Sequence, residues 1–194
     1  YELGESFYYN TFYGTPAAYS RAIDLAGQNG LDSPEGLRVF DFGFGGIGHL
    51  RMLASLGAQC AGVEVLELLD VYYTDDDTGT IENDHAPDGR ITLLYGSFPG
   101  DEQIAKDAGG GYHLFLSKNT LKRGYIHPER EADPRFLIDL GVDDETYMRA
   151  VHRALRPDGL MIVYTLSPPQ APDDEDYIPW ATGEFPFDRA LCEE

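Results

Sequence analysis

VFDFGFGGIG, residues 39–48, is the stretch of sequence that decides the class of fold. An apolar run ends in a cluster of glycines, and apolar residues at helical spacing then extend from Ile47 to Leu56. Gly57 is placed to end that helix, and a second apolar run follows at residues 60–65. A strand, a tight turn, a helix and a second strand in this order predict a βαβ unit.

The same alternation continues along the chain and extends the unit into a sheet. Further helices are predicted from about Leu66, at 102–108 and after a cap at Asp143, and further strands at 91–95, 112–117 and 160–166. Parallel strands joined by right-handed helical crossovers form doubly wound α/β sheets. We therefore predict a doubly wound, mostly parallel sheet with helices on both faces and a break at residues 157–159 before the fifth strand.

The N-terminal region differs in composition from the predicted sheet domain. Five aromatic rings lie within residues 7–13, ahead of a helix-like segment around 17–25. These rings either pack against the sheet or form a lid over a ligand, where a ring face could contact a cation. The sequence predicts a helical cap or lid over residues 1–30 and a cofactor-binding domain over 31–194.

Composition excludes several classes of protein. The chain carries 14 basic and 34 acidic residues, a net charge of −20, and 42% of its residues are hydrophobic. Such a chain can bury a core but lacks the basic face that nucleic acids or anionic membranes require. We find no apolar run long enough to cross a bilayer and no leader-like start, and we expect a cytoplasmic protein.

The sequence offers no convincing metal site. Cys60 and Cys192 form no C-x-x-C pair, so neither a disulfide framework nor a thiolate zinc site is expected. Asp75 and Asp77 lie in a Gly/Thr/Asp loop that is typical of a solvated turn.

The glycine loop predicts a cofactor site. A sharp turn between a strand and a helix exposes backbone N–H groups at the helix start, where a cofactor can lie against bare backbone. Gly43, Gly45 and Gly48 match G-x-G-x-x-G, and Glu64 follows about twenty residues later, as an acidic residue that binds ribose hydroxyls would. An NAD(P)-binding oxidoreductase is therefore one interpretation.

Asp41 favours another interpretation. Its carboxylate lies at the end of a buried strand, where an unpaired charge is costly. Either the N–H groups of the loop or a cationic amino group could neutralise it. S-adenosylmethionine carries an ammonium group and NAD does not.

Residues 37–167 resemble the class I S-adenosylmethionine-dependent methyltransferases. The resemblance is carried by 41–48, the strand end 62–65, S-K-N-T-L at 117–121 and L-R-P-D-G-L at 155–160. It implies a Rossmann-like sheet in the strand order 3-2-1-4-5. It also implies a cofactor site of Asp41, Gly43, Gly45, Gly46, Glu64, Val65, Leu66, Ser97, Phe98, Lys118 and Asn119. Sheets of this family usually end with two more strands, so the resemblance also implies that the sequence stops short of the complete fold.

The reaction itself is less readable from the sequence. Methyl transfer is an in-line displacement, and an alcohol or a protonated amine must lose a proton to a base. His127 and its neighbour Tyr125 follow the fourth strand and are the candidate catalytic residues. The acidity of the chain favours a small neutral or cationic acceptor, methylated at oxygen or nitrogen. A cofactor-binding partner domain without turnover is the alternative, and the oligomeric state and the acceptor stay open.

Overall fold

A six-stranded sheet forms the centre of the computed structural model, which describes residues 16–65, 73, 75–173 and 175–192. Its spatial order is β3-β4-β2-β1-β5-β6. The strands are β1 (Arg38–Phe42), β2 (Gln59–Glu64), β3 (Gly79–Ile81), β4 (Gly89–Tyr95), β5 (Tyr112–Lys118) and β6 (Leu155–Tyr164). All neighbours pair in parallel except β3 and β4. The order of the five parallel strands confirms the predicted 3-2-1-4-5 arrangement.

The short edge strand β3 was not predicted. It has three residues and pairs antiparallel with the start of β4, from Gly79 opposite Ile91 to Ile81 opposite Gly89. Its sequence, Gly-Thr-Ile, is too short to show an alternating pattern. Pairing with β4 therefore creates this strand, and local sequence preference does not.

Helices cover both faces of the sheet, as a doubly wound fold requires. They are α1 (Ser20–Gln28), α2 (Gly48–Ser55), α3 (Glu102–Ala108), α4 (Arg123–Ile126) and α5 (Asp144–Ala154). One buried cluster joins α1 and α2 to one face of the sheet, and it contains Val39 and Leu50. A second joins α3 and α5 to the other face around Phe40 and Phe115. Successive residues of β1 thus serve opposite cores.

Several predicted helix ends are confirmed by caps. The side chain of Asp143 accepts a hydrogen bond from the Thr146 N–H at the start of α5, and Asp101 does the same for Gln103 and Ile104 at α3. Helix α2 ends at Ser55, before Gly57, as expected.

The predicted break at 157–159 before the last strand is wrong. Strand β6 begins at Leu155, directly after α5, and Leu155 pairs with Tyr112 before the register shifts to Leu160 opposite Leu114. Asp158 adopts a left-handed φ of 62° within this irregular stretch. Pro157, Asp158 and Gly159 lie in a β-bulge, where they interrupt the pairing with β5 without ending the strand.

Two predicted segments lie outside the described residues. These are the aromatic stretch 7–13 and the helix expected from Leu66. Among the described residues, no strand follows Tyr164, and only short 3-10 helices occur there, at Pro179–Ala181 and Arg189–Cys192. None of the helices in the described ranges has the length and apolar character needed to cross a membrane.

Candidate functional site

Three neighbouring strands carry charged residues to one edge of the sheet. Asp41 pairs with Gly62 of β2 on one side and with Leu116 of β5 on the other. Glu64 and Lys118 each lie two residues beyond those partners, at the ends of their strands. β1 lies between β2 and β5, so the order of the strands reverses its direction at β1. In open α/β sheets, such a switch point forms the ligand crevice.

The glycine loop after β1 requires glycine at its first position. Gly43 has a φ of 73°, and an added Cβ would overlap the side chain of Thr120. Gly45 also has a left-handed φ, of 51°. Thr120 belongs to the segment that follows β5, so the loop and that segment approach each other without an intervening side chain.

Three hydroxyl groups from distant parts of the chain hold the loop carbonyls. Thr120 donates to the carbonyl of Gly43 at 3.2 Å, Tyr19 to that of Phe44 at 3.0 Å, and Tyr73 to that of Gly45 at 2.7 Å. Thr120 follows β5, Tyr19 directly precedes α1, and Tyr73 follows β2. The loop is therefore fixed from three sides before any ligand binds, and no sequence pattern pointed to these tethers.

Glu64 lies beside the glycine loop. Its Oε2 accepts from the Gly45 N–H at 3.0 Å, and its Oε1 accepts from the Val65 N–H at 2.9 Å. The pKa of the Glu64 carboxyl is raised, chiefly by burial. The two backbone N–H groups oppose this shift, and the nearby Asp41 adds to it. The carboxylate is thus oriented by the loop that it would share with a ribose.

Asp41 has a partner that the sequence reasoning missed. Its Oδ2 lies 2.6 Å from Nε2 of His49, and the two side chains are 0% and 1% exposed, respectively. Its Oδ1 has no hydrogen-bond partner among the described residues. The sequence signal for this contact was the position of His49 in the first turn of α2, one helical turn before the buried Leu53.

Tyr19 and Lys118 complete the surroundings of this pair. The Tyr19 ring stacks on the His49 ring, with centroids 3.4 Å apart and planes within 7°. The Lys118 Nζ lies 5.2 Å from the centroid of the Tyr19 ring. The pKa of Lys118 is lowered by burial, and the charge of Asp41 opposes this shift only in part. A cation, an aromatic ring and an anion therefore lie together under the glycine loop.

The predicted adenine-side residues fall into different environments. Val65 is 50% exposed at the end of β2, whereas the Phe98 ring is buried in the core, 5.1 Å from the Phe40 ring. The Ser97 hydroxyl donates to the carbonyl of Leu140 at 3.3 Å. Leu66 lies outside the described residues. The Phe98 side chain is thus used in packing, and a cofactor contact from residues 97–98 would fall to their backbone or to the Ser97 hydroxyl.

Asn119 organises the segment after β6. It has a left-handed φ of 62°, and its Oδ1 accepts from the Leu166 N–H at 2.7 Å. Lys122 nearby is 2% exposed, and its ammonium donates to the carbonyls of Leu166 and Trp180 at 2.5 and 3.0 Å. The polar groups after β5 therefore hold the chain that follows β6 against the edge of the sheet.

His127 contacts Asp144 and Tyr125 contacts Lys122, and neither of these partners belongs to the glycine loop. His127 Nε2 faces Asp144, with Oδ2 at 2.9 Å, and both side chains are partly exposed. The described residues that line the cavity beside His127, of about 570 Å³, include none from the glycine loop. The Tyr125 ring centroid lies 5.8 Å from the Lys122 ammonium. Within the described ranges, His127 has an orienting carboxylate, Asp144, and no hydrogen bond to a residue of the predicted cofactor site.

The described residues contain no group of three or more His, Cys, Asp or Glu side chains placed to hold a metal ion. Asp77, one of the two loop carboxylates considered above, accepts a hydrogen bond from Arg51 at 3.0 Å.

Comparison with known proteins finds similarity in solved structures. No family model matches the chain, and no curated protein matches its sequence. With 16% identity and a TM-score of 0.39, 76% of the chain aligns with 45% of a candidate sarcosine dimethylglycine methyltransferase from Galdieria sulphuraria. With 18% identity and the same TM-score of 0.39, 76% aligns with 71% of a TehB-like SAM-dependent methyltransferase from Corynebacterium glutamicum. The chain thus spans less than half of the Galdieria protein.

Proposed function

We propose that the chain is an S-adenosylmethionine-dependent methyltransferase that binds the methyl donor over the glycine loop and acts on a small molecule. The observation that carries this proposal is Asp41, a fully buried carboxylate with one oxygen lacking a partner among the described residues. An unpaired buried acceptor is costly, so a ligand that supplies a donor would be favoured there.

The residues around Asp41 fit the group that the resemblance implies. The Asp41 Oδ1 can accept from an ammonium group, and the Glu64 carboxylate, held by the Gly45 and Val65 N–H groups, can accept from two ribose hydroxyls. Val65 offers an exposed apolar surface for an adenine ring. Glu64 and the glycines would serve a nicotinamide cofactor equally well, and Asp41 is the residue that distinguishes the two ligands.

When bound, S-adenosylmethionine supplies an electrophilic methyl group that a nucleophile displaces in line. Asp41 would hold the amino-acid end of the ligand and Glu64 its ribose, and the fixed loop would restrict its position, which is the main requirement of such a displacement. A base is needed if the acceptor is an alcohol or a protonated amine, and we propose His127, oriented by Asp144, for that step. Transfer to oxygen or nitrogen of a neutral or cationic small molecule fits the net charge of −20.

Isothermal titration calorimetry tests this function. The protein should bind S-adenosylmethionine and its demethylated product and should not bind NADH. Glu64→Gln keeps an oxygen for the Gly45 N–H but loses the charge, and we expect at least about tenfold weaker binding, since hydrogen bonds to charged groups contribute about 1.5–3 kcal/mol. Glu82→Gln, at an exposed position, is the matched control.

The alternatives predict different titrations. Binding of NADH without affinity for S-adenosylmethionine would contradict the proposal and favour an oxidoreductase. Binding of S-adenosylmethionine without transfer to any acceptor in a metabolite extract, followed by mass spectrometry, would favour a cofactor-binding partner domain.

A further inference from the structure

His49 follows the glycine loop in sequence, and its side chain is buried. It belongs to the first turn of α2, and its side chain is 1% exposed. A buried histidine needs polar partners, and its Nε2 faces Asp41 Oδ2 at 2.6 Å. This short contact joins the helix after the glycine loop to the strand before it.

The contact makes the two oxygens of Asp41 unequal. Oδ2 is taken by His49, whereas Oδ1 has no hydrogen-bond partner among the described residues. A carboxylate with neither oxygen fixed can rotate, but a hydrogen bond to one oxygen restricts the orientation of the other. The charged groups that act on this site from the neighbouring strands are Lys118 of β5 and Glu64 of β2.

The position of His49 is fixed in turn by Tyr19. The two rings stack at 3.4 Å, and the Tyr19 hydroxyl donates to the carbonyl of Phe44 in the glycine loop. Displacement of the imidazole would therefore disturb a ring contact and a loop hydrogen bond together. Tyr19 thus positions the His49 side chain, although the two residues are far apart in sequence.

We propose that His49 is a positioning residue for the amino-acid end of the ligand. By holding Oδ2, it keeps Oδ1 of Asp41 available for the ligand's ammonium group, while Tyr19 fixes the imidazole. This inference rests on the proposed function, because it concerns the same cofactor site. It assigns His49 no contact with the ligand, so its effect on the ammonium group is transmitted through Asp41.

A pair of ligands tests this role. S-adenosylhomocysteine carries the ammonium group, whereas 5′-methylthioadenosine has the same thioether nucleoside without the amino-acid part. For His49→Phe, we expect at least about tenfold weaker binding of S-adenosylhomocysteine and a change below about twofold for 5′-methylthioadenosine, both by calorimetry. His49→Gln, whose amide can still donate to Asp41, should restore most of the lost affinity.

The Asp41→Asn variant and the double variant make the test specific. If His49 acts through Asp41, adding His49→Phe to Asp41→Asn should weaken S-adenosylhomocysteine little further. His152→Phe, an exposed histidine change on α5, is the control. His49→Asn, whose amide is too short to replace Nε2, serves as the second variant if His49→Phe unfolds.

Equal weakening of both ligands by His49→Phe would mean a purely structural role and would overturn the inference, as would unchanged affinity for both. Those results leave the proposed function standing, because the wild-type protein still binds its ligand. If the wild-type protein binds neither ligand, the proposed function itself fails.

Discussion

Replacing Tyr147 by phenylalanine is expected to stabilise the protein. Tyr147 of α5 is 0% exposed, and its hydroxyl has no hydrogen-bond partner among the described residues. Burial raises the pKa of this phenol well above its ordinary value, as expected for a group with no polar surroundings. Its ring stacks on Phe187 at 5.1 Å and meets Phe42 edge-on at 5.5 Å, and phenylalanine keeps both contacts.

The magnitude follows from the cost of an unsatisfied hydroxyl. A buried polar group without a partner costs about 1–3 kcal/mol, so Tyr147→Phe should raise the free energy of unfolding by about 1 kcal/mol or more. For a chain of this length, that corresponds to an increase in Tm of about 2–4 °C for each kcal/mol.

Tyr112→Phe is the matched control because that residue is equally buried in the same cluster. It is 2% exposed, and its hydroxyl donates to the carbonyl of Ala108. Loss of this hydrogen bond in Tyr112→Phe should lower the free energy of unfolding by about 0.5–1.5 kcal/mol. Urea unfolding followed by circular dichroism measures both variants, and opposite signs are expected. A destabilisation by Tyr147→Phe of more than about 0.5 kcal/mol would refute the reasoning and reveal a partner for the hydroxyl, such as a buried water.

Two further predictions concern buried ionisable groups. Lys122→Met removes the ammonium that joins the Leu166 and Trp180 carbonyls, so limited proteolysis should cut residues 165–187 faster and the free energy of unfolding should fall by about 1–3 kcal/mol. Lys106→Met, at an exposed position of α3, should change neither. Burial, with a smaller contribution from Asp41, raises the pKa of the Cys60 thiol to about 12, so a disulfide reagent near pH 8 should modify the exposed Cys192 in the folded protein and reach Cys60 only in urea. Modification of both thiols in the folded protein would contradict this prediction. Because folding raises the pKa of Cys60, the contribution of this thiol to stability should be lost as the pH rises from about 9 to about 12.

The sheet was predictable because its central strands, β1, β2 and β5, are largely buried. Each parallel strand forms an apolar run, and helices with apolar stripes separate these runs, so element type and order follow from the pattern. The caps at Asp101 and Asp143 follow from local chemistry in the same way, although only the second was predicted. Strand β3 and the bulge at the start of β6 could not be predicted, since each depends on a partner strand that is distant in sequence.

The candidate site was predictable only in part. Gly43, Asp41 and Glu64 stand at strand ends whose positions the pattern defines, and their proximity follows from the order of the strands. The partner of Asp41 had only a weak signal in the sequence, the spacing between His49 and Leu53, because the contact depends on which side of α2 faces β1. The core roles of Phe98 and Tyr147 likewise depend on packing between separate elements.

The three hydroxyl tethers of the glycine loop have a consequence for folding kinetics. They join Gly43, Phe44 and Gly45 to residues 77, 25 and 28 positions away in sequence. Contacts of such separation form only after the intervening chain has been brought together, which slows folding. The loop should therefore acquire its final shape late, and a ligand that recognises this shape would bind only to chains whose folding is complete.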